Sequence, residues 1–224
     1  MRKLIVAIDG PSGAGKGTVA RAVAGRLGYR HVDSGAMYRA IGWKAMRDGV
    51  PLEDEAAVSK LAERSRIDVR HETVSIDGFD VTREIRTPEI DRAAASVARL
   101  PGVRRVLVSR QREMRADGGL VMEGRDIGTV VFPDADVKIY LDASPEERAR
   151  RRANDPAHRG STVVTEVATA LTARDESDRT RAASPLYAAS DAVVIDTTGK
   201  SVDQVVGDVI RVVFEKGRGL IAES

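Results

Sequence analysis

The 224-residue chain contains no cysteine, so neither disulfides nor thiolate metal sites can hold it together, and burial of apolar side chains must supply its stability. It has no excess of one charge either. The 36 Lys and Arg stand against 34 Asp and Glu, which removes the summed field that draws a protein to nucleic acid or an anionic membrane. Aromatic residues are scarce, with one Trp, four Tyr and three Phe, and offer little platform for stacking the bases of a single strand. No run approaches the ~18 apolar residues of a membrane span. The apolar run at residues 4–8 is ended by Asp9, far short of the core of a signal peptide. Internal repeats, low-complexity tracts and Pro-rich linkers are absent as well. These absences lead us to expect a cytoplasmic protein of one domain, residues 1–224, with no nucleic-acid or membrane partner. Any cationic site must be local.

What is present is a series of short β-branched runs. Residues 4–8, 120–122, 137–141 and 192–195 read as strands buried on both faces, and His31 with Val32 is a weaker fifth. Helix-compatible stretches separate them, which predicts βαβ crossovers and an α/β fold of three layers, αβα, around a five-stranded parallel sheet. Ser144, Pro145 and Glu147 mark one helix start, with an N-cap, a first-turn proline and the reciprocal acid of a capping box. Thr87 and Pro88 mark another. Residues 67–85 break the alternation: Val74 and Ile76 alternate with polar residues, Asp77-Gly78 suits a hairpin turn, and Phe79 and Val81 resume the pattern. A small antiparallel β insert is expected there. Arginines cluster at 148–152 and 174–181, as phosphate donors or as solvated helix faces.

The strongest motif is GPSGAGKGT: Gly10, Pro11, Ser12, Gly13, Ala14, Gly15, Lys16, Gly17 and Thr18. Gly10, Gly15 and Lys16 satisfy the fixed part of a P-loop, with an apolar strand before it and a helix-compatible run at 18–27 after it. Glycines let successive N–H groups turn inward, the helix N-terminus adds partial positive charge, and Lys16 reaches the β and γ oxygens of a bound triphosphate. The hydroxyl that usually follows the lysine and binds magnesium is missing. Gly17 stands there and Thr18 comes one residue late. Magnesium is then expected to be held mainly by phosphates and water, with Thr18 and Glu123 as the protein groups in reach. Glu123 either orients a metal-bound water or bridges to the loop.

A P-loop alone does not separate kinases from switches or motors. The acceptor side adds DSGAMYR from Asp33, EIRTPE from Glu84, LPGVR from Leu100, EGRDIGTVVFPDA from Glu123, KIYLDAS from Lys138 and RDESDRTR from Arg174. Arg174, Asp178 and Arg181 are spaced four and three apart, which puts them on one helical face. Over nearly its whole length the chain thus resembles the bacterial cytidylate kinases, nucleoside monophosphate kinases that use ATP to convert CMP and dCMP to CDP and dCDP in pyrimidine metabolism. The resemblance implies a P-loop kinase core, a monophosphate-binding insert over 39–99, a short mobile lid over 153–165, Mg2+ as cofactor and a monomer. Carried over residue by residue, Ser34, Arg104 and Asp126 contact the base, and Arg39, Arg125 and Arg181 hold the monophosphate. Arg174 and Asp178 lie at the ribose and phosphate. Lys16 and the lid arginines Arg148, Arg151, Arg152 and Arg159, which sequence does not rank, meet the charge of the transferring group. Where the family often has a serine near the ribose, this chain has Ala95, with Ser96 beside it.

The chemistry of the base fits the same residues. Cytosine presents an amino donor at N4 and acceptors at N3 and O2, so its reader needs a carboxylate beside cationic or hydroxyl donors, as Asp126, Arg104 and Ser34 are. Taken alone, Ser34 also fits an N-cap and Arg125 with Asp126 a loop ion pair. Rival functions are a P-loop kinase for AMP, UMP or a metabolite such as shikimate, and a GTPase-like switch, against which the missing Asn-Lys-x-Asp motif counts.

Overall fold

The first apolar run folds as a strand with every residue buried, and this burial on both faces puts it in the middle of a sheet. The computed structural model describes residues 3–70, 73–115, 118–154 and 164–222. In chain order its elements are β1 Ile5–Asp9, α1 Lys16–Leu27, β2 Arg30–Asp33, α2 Ser34–Arg47, α3 Glu55–Arg64, β3 Ile67–Arg70, β4 Thr73–Ile76 and β5 Phe79–Asp80. Then follow α4 Pro88–Val97, α5 Pro101–Glu113, β6 Leu120–Gly124, a π-helical turn Ile127–Val131, β7 Val137–Asp142, α6 Pro145–Ala153, α7 Val164–Thr180, β8 Val193–Asp196 and α8 Val202–Ala222.

Five strands form one parallel sheet in the order β2-β6-β1-β7-β8. These are the five expected from the apolar runs, but β8 is not buried on both faces: it lies at the edge of the sheet, with Val194 exposed. Helices α1 and α8 cover one face through Val19, Val23, Val206 and Val209. Met122, Ile127 and Phe132 belong to the core on the other. Each such fully buried side chain contributes roughly 1.5–3 kcal/mol through its removal from water.

Between β2 and β6 the chain builds a second core of its own, in which Met37, Ile41, Leu61, Ile76, Ile85 and Leu107 are buried together. The expected antiparallel insert is part of it. It has three strands, in the order β3-β4-β5, and Asp77 (φ 51°) and Gly78 (φ 84°) form the turn with the positive angles that a tight hairpin requires. Val81 is buried while Phe79 is half exposed beneath the Arg47 guanidinium, 4.2 Å from its ring centroid.

One local expectation is corrected. Ser144 Oγ accepts the Glu147 N–H as an N-cap, but Glu147 does not return the bond: the Ser144 N–H donates to Thr198 Oγ1 at 2.9 Å. The Glu147 carboxylate takes Arg150 and Arg151 instead, where both partners of each bond carry charge. The lid expected over 153–165 lies outside the described residues, apart from 153, 154, 164 and 165 at its ends. No helix among the described residues is long and apolar enough to cross a membrane.

Candidate functional site

Because all five strands are parallel, their carboxyl ends share one edge, where an α/β sheet leaves a crevice for ligands. The loop from β1 to α1 lies there. Gly10 sits at φ 148°, and a Cβ on it would fall 2.0 Å from the Leu141 carbonyl oxygen, so no side chain fits. Helix α1 starts at Lys16 behind Gly15 with no side-chain cap, which leaves its first N–H groups for an anion. Lys16 is buried and donates to the Pro11 carbonyl at 2.7 Å. Burial, with help from the Arg125 guanidinium, pulls its ammonium well below the ordinary lysine value, and a bound anion would raise it again.

At Gly17 the space for a side chain is already taken. A Cβ there would lie 3.1 Å from Glu123 Oε1, and Glu123 is held from behind by His31 Nε2 at 3.1 Å, both side chains being buried. The carboxylate thus stands beside the position where other loops carry a hydroxyl. Thr18 is exposed at the rim of the site.

Opposite the loop is a cavity of about 380 Å³. Ser34, Arg39, Arg104, Arg125, Asp126, Arg174, Asp178 and Arg181 all line it, together with Lys16, Thr18 and Glu123, although they come from positions far apart in the chain. Local structure explains how each is aimed. Asp33, not Ser34, caps α2 by accepting the Ala36 N–H at 3.1 Å, which leaves the Ser34 hydroxyl to donate to the Glu123 carbonyl at 2.6 Å. Arg39, one turn further on, lies between Asp33 (3.2 Å) and Asp91 (3.0 Å). Arg104 of α5 is buried against Asp126, donates to the Ala98 carbonyl and lies 5.5 Å from the centroid of the Tyr38 ring. Arg125 pairs with Asp178 at 3.0 Å, and Arg181 stands 3.7 Å from both Asp126 and Asp178.

Four buried polar atoms in this cluster have no hydrogen-bond partner among the described residues: Tyr38 Oη, Arg104 Nε, Arg174 Nε and Arg181 Nη2. All four residues line the same cavity. An unsatisfied buried donor costs ~1–3 kcal/mol, so their convergence points to a ligand rich in acceptors. Burial pushes the Tyr38 phenol up to about 12, which keeps its proton for donation, and burial with the neighbouring Arg125 brings Arg174 down to about 10. Tyr38 was missing from the residues expected at the site. Its signal lay four residues after Ser34, on the same face of α2.

The arginines near the lid separate. Arg148 lies behind the phosphate loop, donating to the carbonyls of Ala143 (3.1 Å) and Ser12 (3.2 Å) and pairing with Asp175. Arg151 is bound to Glu147 and to the hydroxyl and carbonyl of Thr197 at 2.9 and 2.7 Å. Arg152 alone of these three lines the acceptor-side cavity, where it pairs with Asp91. Arg159 lies outside the described residues. Ala95 lines the cavity, whereas Ser96 is exposed and donates to the Arg92 carbonyl at 3.3 Å.

A second cavity, of about 610 Å³, opens on the other side of the loop beside Arg151, Thr197, Lys200 and Val202. Among the described residues there is no group of three or more His, Asp or Glu side chains able to cage a metal ion.

A five-stranded parallel sheet of this order, a glycine-rich phosphate loop at its carboxyl edge and a basic cavity facing that loop define a P-loop kinase. A gluconokinase from Sinorhizobium meliloti 1021 has a similar fold, with a TM-score of 0.55 at 14% identity over 99% of this chain and 98% of that one. The chain belongs to the cytidylate kinase family, whose model, "Cytidylate kinase", matches residues 6–215. It is 51% identical to the cytidylate kinase of Pelotomaculum thermopropionicum over 90% of this chain and 92% of the relative. To that of Desulforamulus reducens it is 50% identical, over 95% and 97%.

Proposed function

We propose that the protein transfers the γ-phosphoryl group of ATP to CMP or dCMP. The observation that carries this reading is the set of buried donors, without a hydrogen-bond partner among the described residues, that converges with Asp126 on the cavity facing Lys16. Asp126 accepts from the cytosine N4 amino group, Arg104 donates to O2 and N3, and Ser34, whose proton goes to the Glu123 carbonyl, has lone pairs left to accept the second amino N–H. Arg39, Arg125 and Arg181 hold the monophosphate, with Arg174 and Asp178 at the ribose and phosphate. The loop from Gly10 to Thr18 cradles the triphosphate, whose nucleoside extends into the second cavity.

Phosphoryl transfer through a loose transition state asks for alignment and charge neutralisation and needs no protein nucleophile. An oxygen of the acceptor phosphate attacks in line. Lys16 meets the charge that spreads over the transferring group, and Arg152 is the described lid arginine placed to join it. Arg148 and Arg151 serve by holding the loop and its surroundings in shape. Mg2+ bound with ATP supplies further neutralisation of the phosphates. Phosphates and water hold this ion in the main, and Glu123 and Thr18, which line the cavity, are the protein groups in reach. The insert over 39–99 then carries the acceptor side, 153–165 is the lid, and the protein works as a cytoplasmic monomer.

A panel of nucleoside monophosphates with ATP and Mg2+ tests the proposal. CMP and dCMP are expected to exceed UMP in kcat/KM by about 100-fold or more, because uracil O4 would face the Asp126 carboxylate without a proton to share. Equal kcat/KM for UMP and CMP would sink the assignment of the base.

A further inference from the structure

Asp91 is an acid for which the transfer reaction has no use. It lies in the first turn of α4, buried among arginines that line the acceptor cavity. Its Oδ1 accepts Arg39 Nε at 3.0 Å and stands 4.0 Å from Arg174 Nη1, and its Oδ2 pairs with Arg152. These guanidiniums come from α2, α7 and α6, so one carboxylate gathers three elements around the cavity. Without an anion their like charges would repel. Burial alone would raise the Asp91 carboxyl, but the guanidiniums of Arg39, Arg152 and Arg174 outweigh it and hold it down to about 2.

The same carboxylate opposes what the site is for. A phosphate brought to these arginines meets a fixed negative charge and must share their donors with it. Arg39 keeps a second counterion in Asp33 at 3.2 Å, so it can turn part of its fork to a ligand without being left bare.

We propose that Asp91 is a built-in stand-in for the acceptor's phosphate: it organises Arg39, Arg152 and Arg174 and competes with the monophosphate for Arg39 and Arg174. This inference rests on the acceptor assignment made above. It sets affinity for CMP below what the arginines alone would give, and it re-forms the empty arrangement as the diphosphate leaves.

The test is Asp91→Asn, which keeps the shape and removes the charge, with Asp91→Ser as a second variant that admits water beside the guanidiniums. Calorimetric titration with CMP is expected to show binding about tenfold tighter than in the wild type. Binding of cytidine, which has no phosphate, is expected to stay unchanged. Thermal melts guard against misfolding: both variants should melt lower than the wild type when empty and gain more from added CMP. CMP affinity that is unchanged or weaker, an equal gain for cytidine, or a CMP-induced melting shift no larger than the wild type's would overturn the inference and leave Asp91 a simple brace. Wild-type turnover of CMP is measured separately. Should it be absent, the acceptor assignment falls, and inorganic phosphate as the titrant still decides whether Asp91 competes for the arginines.

Discussion

Asp9 accepts the backbone N–H of Gly128 at 2.7 Å, and its other oxygen takes that of Ile127 at 2.8 Å. The last residue of the strand that feeds the phosphate loop therefore also fixes the turn that follows Arg125 and Asp126. One side chain ties the donor side to the acceptor side.

This tie has a pH signature. Burial, reinforced by the Asp126 charge, pushes the Asp9 carboxyl from 3.8 to about 6, against its two backbone bonds and Lys16. A raised carboxyl means that between about pH 4 and 6 the native state binds more protons than the unfolded chain, so stability falls as pH rises through that window. The shift corresponds to ~3 kcal/mol. Denaturant melts should show the stability of the wild type relative to Asp9→Asn declining by up to that amount between pH 4 and 7. A difference independent of pH would contradict it.

Lys16→Ala is expected to lower kcat by about 1000-fold or more while leaving the melting temperature within a few degrees. The reason is that Lys16 is held in the empty site by one carbonyl and carries a disfavoured charge, so the fold gains little from it. A folded variant that turns over near normally would remove Lys16 from the mechanism.

Arg152→Ala and Arg151→Ala should fail differently. Loss of Arg152, which lines the cavity, is expected to cost roughly 100-fold in kcat with little change in melting. Loss of Arg151, which clamps Thr197, is expected to lower the melting temperature more than kcat. Paired kinetics and melts read both, and the reverse pattern would exchange their roles.

Asp126→Asn should reduce kcat/KM for CMP by about 100-fold and shrink the preference over UMP, because an amide can donate to uracil O4. A coupled assay with both acceptors measures the ratio. An unchanged ratio would mean that the base is read elsewhere.

Ala95 lines the cavity and Ser96 does not. Ala95→Ser is therefore expected to lower KM for CMP about threefold through one added hydrogen bond, whereas Ser96→Ala leaves it unchanged. Saturation curves for the two variants decide it.

The sheet was legible because its inner strands are buried on both faces, which writes continuous apolar runs such as residues 4–8 and 120–122 into the sequence; 192–195 reads the same way although β8 is an edge strand with Val194 exposed. The hairpin was legible from Asp77-Gly78. The residues of the cavity were another matter. Nothing in the spacing of Ser34, Arg104 and Asp126 joins them; the family resemblance named them, and the parallel sheet brings them together. Partnerships that only folding creates left no local trace. Glu147 turns from Ser144 to two arginines, Asp9 reaches across to Gly128, and Asp91 meets arginines from three helices. Nor could the order along α6 tell that Arg148 points behind the loop while Arg152 faces the cavity.

The missing hydroxyl at position 17 has an evolutionary reading. With Glu123 reaching to 3.1 Å from where a Cβ at Gly17 would sit, the two sites form a single choice. A serine or threonine at 17 presses on the Glu123 carboxylate, which must yield by a few tenths of an ångström while His31 holds it, and an aspartate at 123 relieves the contact. Substitutions at these positions should travel as a pair, and a graft of the more familiar loop onto this chain is better tolerated when the side chain at 123 is shortened to match.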